Sequence, residues 1–586
     1  MFKDSIINAK WELLNGNLNK AMTYNQKLGL HSAVSEILSL NQDLTIEEVE
    51  DFISPSLRKL LPNPFLALMD VSLAVERIIK AIKGKEKIVI FGDYDVDGAT
   101  SSAIFKGFFQ SIGVKSEIYI PDRIKEGYGP NSNALLKIRA EGADLVITVD
   151  CGTVAFEPLQ KAKAAGLEIV VIDHHLGVKA KPESIAVINP NRWDETSELT
   201  YLCGAGVSFM LIVGLNMKLK EEKYYAKNNI PEPNLLSLVD LVALGTVCDV
   251  MPLIGLNRAF VKTGIEVIKA KTNLGIQTLL GIAGAETEIT EYTLGFIVGP
   301  RINAGGRIGK SDLGANLLST KNEAEALEIG NILHELNSKR KDIETESLEV
   351  AISKIERTGD FEKEIIFVED ESFHQGIIGI LAGRIKERYN KPVAVFSRLD
   401  GYLKASLRSI AGIDIGALIH KANEKGLIMA GGGHEMAGGL SVLADKYAEL
   451  EKFFIENLLT VSGGIDMQKK IFISSIITPL GLNLQLAEQL KMLRPFGNGN
   501  PKPIFAMQDL AVIKLDILKE RHVSMILKDE ISGKTVKAMF FKAYEMGVLN
   551  LLEKLYGKKV DVVGELEINE WNGNKTIQMN LIDVAI

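Results

Sequence analysis

Four short segments of continuous apolar sequence constrain the fold of this 586-residue chain more than any other feature. They are rich in β-branched residues and are separated by stretches of helical periodicity; they read "IVIF" (88–91), "EIYI" (117–120), "LVITV" (145–149) and "EIVVI" (168–172). A strand that is apolar on both faces needs cover on both faces, which helices on each side of a parallel sheet provide. The pattern predicts an α/β fold with a doubly wound, mostly parallel sheet.

The rest of the chain divides around this region. Apolar residues at helical spacing in a highly charged stretch predict one long amphipathic helix between domains. Near the C-terminus, alternating sequence on both sides of Asn572-Gly573 predicts a β-hairpin. We expect five parts: a helical N-terminal region (1–65), the α/β domain (66–320), a long connecting helix (321–358), a smaller α/β domain (359–460) and a strand-rich domain (461–586).

Composition narrows the class of protein. The chain is 46% hydrophobic and 24% charged, as in globular proteins, and no apolar stretch approaches the ~20 residues of a membrane span. We expect a cytoplasmic protein without a membrane partner. Its three cysteines form no CxxC pair, which argues against a disulfide scaffold or a zinc site. The net charge of −8 means that nucleic-acid binding would need a local basic groove.

Acidic residues and histidines follow three of the four strand candidates. In an open parallel sheet, ligands bind beyond the carboxyl ends of the strands, so side chains far apart in sequence meet there. An acid at the end of an apolar helix, just before Pro252, is a fourth contributor. The side chains concerned are Asp95 and Asp97 in "DYDVDG", Asp150 in "DCG", His174 and His175 in "DHH", and Asp249 in "VCDVMP".

Such a cluster would repel itself unless a cation were bound within it. Carboxylate oxygens with one or two imidazoles suit Mn²⁺, Mg²⁺ or Zn²⁺, and two such ions can activate a water for hydrolysis of a phosphodiester or phosphoanhydride. Each motif alone also has a plainer interpretation. The "DxDxDG" stretch would serve as a solvated or calcium-type loop, the histidine pair as a loop, and Asp249 as a helix cap or ion-pair partner.

In their order along the chain, "DYDVDG", "VDCG", "DHH" and "ALGTVCDVMPL" resemble the four motifs of the DHH phosphoesterase superfamily. More narrowly, "EGYGPN", "GPRINAGGRIG", "KASLRSIAG" and "GGGHEMAGG" resemble the RecJ family of 5′→3′ exonucleases specific for single-stranded DNA. The resemblance extends over most of the chain. It implies a DHH catalytic domain, a DHH-associated substrate-binding domain and a C-terminal OB-like β-barrel.

The resemblance also implies two divalent metal ions, Mn²⁺ or Mg²⁺, and a role for each clustered side chain. Many superfamily members have a histidine where this chain has Phe91, so one ion is expected to be held more loosely. Asp93 is expected to cap the loop without binding metal. The implied metal ligands are Asp95, Asp97, Asp150 as the bridging carboxylate, His174, His175 and Asp249, and the implied catalytic residues are Asp97, Asp150, His174 and His175.

Three glycine-rich or polar segments are candidates for binding the substrate: "KASLRSIAG", "GPRINAGGRIG" and "GGGHEMAGG". We expect "KASLRSIAG" to form a short polar loop and "GPRINAGGRIG" a glycine-rich turn; a tight turn with solvated arginines is the plainer interpretation of each. Trp571 would either stack on a base or pack on a neighbouring domain. The proposed phosphate-binding residues are Arg301, Arg307, Ser406, Arg408, Ser409, Gly432, Gly433 and His434.

Three functions stay open from sequence. The first is an exonuclease that degrades single-stranded DNA from the 5′ end in repair and recombination. The second is a DHH-family phosphodiesterase that acts on short oligonucleotides or cyclic dinucleotides. The third is a non-catalytic scaffold that binds single strands. The resemblance implies single-stranded DNA as partner, with a single-strand-binding protein and a RecQ-type helicase as cooperating proteins, and we expect a monomer.

Overall fold

The computed structural model describes residues 3–40, 44–123, 125–462, 468–571 and 574–586. The strands are β1 (Lys10–Leu13), β2 (Ile88–Gly92), β3 (Ser116–Tyr119), β4 (Leu145–Val149), β5 (Glu168–Ile172), β6 (Ala186–Ile188), β7 (Ile366–Asp370), β8 (Val393–Leu399), β9 (Tyr402–Arg408), β10 (Ala430–His434), β11 (Ala437–Leu443), β12 (Lys470–Ile473), β13 (Ser475–Ile476), β14 (Phe505–Leu518), β15 (His522–Lys528), β16 (Thr535–Phe540), β17 (Lys559–Trp571) and β18 (Asn574–Ala585).

The α-helices are α1 (Leu18–Leu28), α2 (Ser32–Leu40), α3 (Ile46–Ile53), α4 (Leu57–Leu60), α5 (Pro64–Ala67), α6 (Val71–Gly84), α7 (Val96–Ser111), α8 (Ser132–Ala140), α9 (Phe156–Ala164), α10 (Gly204–Glu221), α11 (Tyr224–Asn228), α12 (Val239–Cys248), α13 (Gly255–Lys269), α14 (Leu274–Ala283), α15 (Gly299–Ile308), α16 (Leu313–Ser319), α17 (Glu323–Thr358), α18 (Ile378–Tyr389), α19 (Ile415–Glu424), α20 (Tyr447–Ser462), α21 (Leu484–Met492) and α22 (Leu549–Leu552). Among the described residues, every helix is too short or too polar to span a bilayer.

The chain folds into two compact units. The parallel-sheet unit comprises Glu50–Arg340 together with a short later segment, Arg494–Pro501. The barrel unit comprises Met1–Val49, Lys341–Leu493 and Lys502–Ile586. The long helix α17, predicted from its charged amphipathic sequence, contributes residues to both units.

The parallel-sheet unit contains the predicted doubly wound fold. Its five strands are all parallel in the order β3-β2-β4-β5-β6, and the four apolar segments form β2 to β5. Along β2, Ile88 and Ile90 belong to one apolar core, which includes α7, α10 and α12. Val89 and Phe91 belong to another, which includes α8 and α9. Both faces of the sheet are therefore covered, as the continuous apolar sequence predicted.

Strand register brings the carboxyl ends of the central strands to one level. Gly92 of β2 pairs with Val149 of β4, and Val149 pairs with Ile172 of β5. The residue that follows each of these strand ends is an aspartate. The sheet itself therefore places three acidic loops side by side at one edge.

The barrel unit contains a mixed sheet and a closed barrel. The sheet runs β10-β11-β9-β8-β7, with β7 and β8 parallel and the other neighbours antiparallel. In the barrel, β14, β15, β16, β18 and β17 follow one another, and β14 pairs with β17 to close it. This confirms the predicted OB-like barrel. The long hairpin β17–β18 is present, but Asn572-Gly573 and the Trp571 side chain lie outside the described part of the chain.

The N-terminal region contains a strand that its sequence did not reveal. Strand β1 pairs in parallel with β12, and Trp11 Nε1 donates a hydrogen bond to Asp583 Oδ2 at 2.8 Å. The strand has only four residues, and its partner lies more than 450 positions away. Local pattern cannot reveal a strand that exists only through such pairing.

Two of the predicted loops are regular elements instead. The stretch "GPRINAGGRIG" forms helix α15, and a Cβ on its Gly306 would lie 2.6 Å from the carbonyl oxygen of Tyr94. These glycines serve close packing rather than a turn. The "KASLR" part of "KASLRSIAG" forms most of strand β9, because Leu403, Ala405 and Leu407 alternate into a buried core.

Candidate active site and metal centre

Asp95 and Asp97 are placed by the junction of β2 and α7. Asp95 precedes α7, and its Oδ1 accepts a hydrogen bond from Gly98 N at 3.0 Å. The side chain that caps helix α7 is therefore Asp95. Asp97 lies in the first turn, and its carboxylate accepts hydrogen bonds from Gly204 N at 2.5 Å and Ala205 N at 2.9 Å. The amino end of α10 thus stabilises the negative charge of the Asp97 carboxylate.

Two glycines make room for the Asp97 carboxylate. A Cβ on Gly204 would lie 2.9 Å from Asp97 Oδ2, and a Cβ on Gly245 would lie 2.7 Å from Asp97 Oδ1. Sequence reasoning named neither residue as part of the site, although Gly245 stands within the quoted motif "ALGTVCDVMPL". Only the packing of α10 and α12 against α7 shows why each must lack a side chain.

Four of the predicted site residues converge on one point. His174 Nε2 lies 3.2 Å from Asp150 Oδ1, 3.5 Å from Asp249 Oδ2 and 3.7 Å from Asp97 Oδ2. Asp150 follows β4 with a backbone φ of 61°, a left-handed conformation that turns the chain at the sheet edge. Residues from three strand ends and one helix end are thus neighbours.

Three of the four atoms that face this point lack hydrogen-bond partners. Asp150 Oδ1, His174 Nε2 and Asp249 Oδ2 are all buried and unpaired. A buried polar atom without a partner carries a desolvation cost of roughly 1–3 kcal/mol, more when it is charged. A divalent cation among them would supply the missing partner. An oxygen-rich set with one imidazole suits Mn²⁺ or Mg²⁺, so these residues fit a metal ion.

Burial and close contacts between the charged groups also shift the pKa values of these side chains. Burial and the neighbouring carboxylates raise the pKa of Asp150 and, with repulsion from Asp97 and Asp95, raise the pKa of Asp249 to about 8. Burial lowers the pKa of His174, so its imidazole is neutral at pH 7 and able to bind a metal ion.

Asp173 orients the two histidines. Its Oδ1 accepts hydrogen bonds from the backbone N–H groups of His174 at 2.8 Å and His175 at 3.1 Å, and lies 2.8 Å from His175 Nδ1. Burial opposes the charge on His175, but the bond to Asp173 and the nearby carboxylates outweigh it and raise its pKa to about 9. The hydroxyl of Tyr128, which the sequence did not single out, lies 3.2 Å from both the Asp150 carbonyl and His175 Nδ1.

A second group of acids lies beside the first. Oxygen atoms of Asp93, Asp95 and Asp150 lie within 4.8 Å of one another, and Asp93 Oδ1 is buried without a partner. Phe91 takes no part, because its ring is fully buried and stacks on Tyr119 at 5.3 Å. The sequence analysis expected no metal role for Asp93, and the structure places its carboxylate beside Asp95 and Asp150.

The two arginines predicted on "GPRINAGGRIG" have different surroundings. Arg301 is buried, and its guanidinium donates to the Ile297 carbonyl at 2.6 Å and to His334 Nδ1 at 3.3 Å. Arg307 lies near Arg123 and Arg340 and is attracted by Asp95; burial and the two like charges lower its pKa to about 10. The structure thus brings Arg307, and not Arg301, towards the acidic cluster.

Most of the other predicted substrate residues share one face of the mixed sheet. Across β10, β11 and β9, Gly432 pairs with Gly439 and then with Ser406, while His434 pairs with Ala437 and then with Arg408. Directly paired residues lie on the same face, so Ser406, Arg408 and His434 stand beside a floor of glycine backbone. Gly433 alternates to the opposite face, and the Ser409 hydroxyl is buried and donates to Ile413 O at 2.7 Å.

Comparison with known proteins agrees with this architecture. Three family descriptions match: the DHH family N-terminal domain over residues 87–246, the DHHA1 domain over 362–459 and the RecJ OB domain over 473–583. The single-stranded-DNA-specific exonuclease RecJ of Dickeya dadantii is 33% identical over 534 residues, which is 89% of this chain and 91% of the relative.

Solved structures are similar over nearly the whole length. RecJ of Thermus thermophilus in complex with Mn²⁺ is 26% identical with a TM-score of 0.81, covering 98% of this chain and 79% of that one. The Mg²⁺ complex gives 25% identity and a TM-score of 0.74, with 99% and 79% covered. The parallel sheet with its carboxylate and histidine edge defines a DHH-type phosphoesterase domain. More particularly, the chain belongs to the RecJ family, which confirms the predicted resemblance.

We predict that Mn²⁺ binding to the metal-free protein strengthens as pH rises from 6 to 9. A carboxyl group with a raised pKa is protonated below that pKa, and the proton competes with the metal ion. The affinity should rise by up to about tenfold per pH unit for each proton displaced, as Asp249, whose pKa is raised to about 8, and the other buried carboxyl groups lose their protons. Titration calorimetry in two buffers of different ionisation enthalpy counts the protons. The Asp249→Asn variant should release fewer protons than the wild type on binding Mn²⁺. An Mn²⁺ affinity that does not depend on pH would contradict the prediction.

Proposed function

We propose that this chain is an exonuclease that hydrolyses the phosphodiester bonds of single-stranded DNA from the 5′ end, in DNA repair and recombination. The convergence of Asp97, Asp150 and Asp249 on His174 Nε2 is the observation that carries the proposal. Membership of a family whose curated relatives are named single-stranded-DNA-specific exonucleases supports the substrate. With DNA as substrate, the expected location is the cytoplasm.

Two divalent ions, Mn²⁺ or Mg²⁺, would occupy neighbouring groups of ligands. Asp97, His174 and Asp249 form one group, Asp93, Asp95 and Asp150 form another, and the group of Asp150, His174 and His175 shares a residue with each. When bound, such a pair of ions activates water and neutralises charge on the phosphate. Many superfamily members have a histidine at the position of Phe91. Because Phe91 is fully buried in the core, Asp93 would supply the ligand that this histidine provides in those proteins.

The remaining side chains of the site position the phosphate and keep the histidines aligned. His175 is half-exposed, and its ring is fixed by Asp173 and Tyr128. It can therefore contact the scissile phosphate without moving. Arg307 and Arg123 bring positive charge to the same side as Asp95, where a DNA backbone would pass.

The barrel unit offers a second phosphate site and a strand-binding barrel. Ser406 and Arg408 lie against the first turn of α18, where a Cβ on Gly379 would be 3.2 Å from both. An arginine at a helix amino end suits a terminal phosphate, which would define the 5′ end of the strand. The OB barrel suits the single strand itself. A single-strand-binding protein and a RecQ-type helicase are the proposed cooperating proteins.

The first test replaces the carboxylate shared by both metal groups. We expect Asp150→Asn to lower the degradation rate of a labelled single strand by about 10³-fold, because a neutral amide cannot balance two cations. The wild-type protein should leave duplex, dinucleotide and cyclic dinucleotide substrates largely intact and should stop on addition of chelator. Preference for short or cyclic substrates would favour the phosphodiesterase alternative, and undiminished activity of Asp150→Asn would contradict the assignment.

A second test concerns Asp93. Asp93→Asn should remove one of two Mn²⁺ binding steps in calorimetry, because the amide is a weaker ligand for a hard cation. The metal-free variant should melt at a higher temperature than the wild type, since a buried unpaired carboxylate is relieved. Glu117→Gln, at an exposed acid on the neighbouring strand β3, should change neither quantity. Two unchanged Mn²⁺ steps in Asp93→Asn would show that Asp93 binds no metal.

A third test concerns the terminal phosphate. Arg408→Ala should weaken binding of a 5′-phosphorylated single strand and lower the slope of log affinity against log salt by about 0.7, the value for one lost phosphate contact on a single strand. Arg398→Ala is the matched control, because Arg398 lies on the adjacent strand β8 and forms an ion pair with Glu369 at 2.8 Å. Equal losses in the two variants would indicate a general charge effect instead.

A further inference from the structure

The segment Arg494–Pro501, with sequence "RPFGNGNP", folds with the parallel-sheet unit although the chain on either side of it belongs to the barrel unit. We call it the clasp. A fully buried arginine of α13 fixes its beginning: Arg258 donates from Nη2 to the Arg494 carbonyl at 2.8 Å. Arg494 in turn donates from Nε to Glu291 at 3.0 Å. Sequence reasoning gave this segment no role.

The clasp is a tight turn that holds its own shape. The backbone N–H groups of Gly497 and Asn500 each donate to the carbonyl of the other, at 2.9 and 3.1 Å. The buried Asn500 side chain donates to the Pro495 carbonyl at 2.7 Å. A segment closed by these bonds can act as a rigid support for whatever it touches.

The clasp lies along the loop that follows Asp249. The Leu253 N–H donates to the Asn498 carbonyl at 2.7 Å, and Asn498 Nδ2 donates to the Val250 carbonyl at 3.0 Å. Glycine allows the approach, because a Cβ on Gly499 would lie 3.2 Å from Cβ of Pro252. One asparagine therefore bonds both ends of the 250–253 loop.

Val250 adopts a backbone conformation that a β-branched residue rarely takes. Its φ is +57°, and it stands one residue after Asp249, at the position beyond a helix end where glycine or asparagine is usual. Such conformations persist only where the surroundings hold them in place. The Val250 side chain is 66% exposed, so its own packing contributes little. The amide of Asn498 on the Val250 carbonyl is a restraint from outside the helix end.

We infer that Asn498 is a positioning residue for the metal centre: by holding the Val250 peptide in its left-handed conformation, it sets the direction of the Asp249 carboxylate. The Asp249 carboxylate, at the end of α12, lies 3.5 Å from His174 Nε2, so loosening of this helix end would change that distance. The inference rests on the proposed metal role of Asp249. The chain reaches across 248 positions to make this contact.

The experiment measures Mn²⁺ affinity by calorimetry on the full chain without DNA. Asn498→Asp keeps the shape of the side chain but loses the amide donor, and Asn498→Ala removes the side chain. Both should bind Mn²⁺ about tenfold more weakly, the lower end of the effect expected when a group that supports a ligand is lost. The added negative charge of Asn498→Asp would by itself attract Mn²⁺, so weaker binding in this variant is opposite to a long-range charge effect and points to the lost bond to Val250.

Rescue distinguishes positioning from general stability. Asparagine tolerates the left-handed region, so Val250→Asn combined with Asn498→Asp should restore Mn²⁺ affinity to within about twofold of the wild type. Failure of this rescue would show that Asn498 only stabilises the fold and would overturn the inference. So would wild-type affinity in both Asn498 variants.

Asp249→Asn separates this inference from the proposed function. If Asp249→Asn weakens Mn²⁺ binding while the Asn498 variants do not, the metal site stands and the positioning role is wrong. If Asp249→Asn binds Mn²⁺ like the wild type, the metal role of Asp249 itself is wrong, and the positioning role is wrong with it.

Discussion

Repulsion among buried carboxylates is the constraint around which the catalytic edge is built. Asp93, Asp97 and Asp150 are nearly or fully buried, and the pKa of each is raised by burial and by the neighbouring acids. The amino end of α10 offsets part of the charge on Asp97, and His174 faces Asp150. The remaining negative charge of the cluster is uncompensated. Protonation of the carboxyl groups would balance it at low pH, and a bound divalent cation would balance it at higher pH.

Bringing these carboxylates together requires backbone conformations and close contacts that are unusual in regular strands and helices. Asp150 and Val250 both have left-handed backbone conformations, and both stand at or beside a carboxylate of the cluster. Gly204 and Gly245 open the space into which the Asp97 carboxylate fits. Strain and close packing at this edge are offset by large apolar cores on both faces of the sheet.

The surfaces proposed for DNA follow a different principle. On the mixed sheet, glycines on β10 and β11 leave bare backbone beside Arg408 and His434, which gives a flat surface with few side chains to obstruct a phosphate. Near the acidic cluster, Arg307 stands on a helix whose glycines allow it to approach the "DYDVDG" loop. The glycine-rich sequence "GPRINAGGRIG" predicted a turn, but it forms a helix whose glycines permit close packing.

The sequence by itself determined the parallel sheet, the strand ends and the residue types that gather there, because continuous apolar segments followed by acids have few other structural solutions. It also identified the family. Tertiary structure alone decided that Asp93 stands beside Asp150, that Tyr128 contacts His175 and that Asn498 supports the loop after Asp249. These contacts join residues through strand register and helix packing, and no local pattern of apolar and polar residues records which distant side chains will meet.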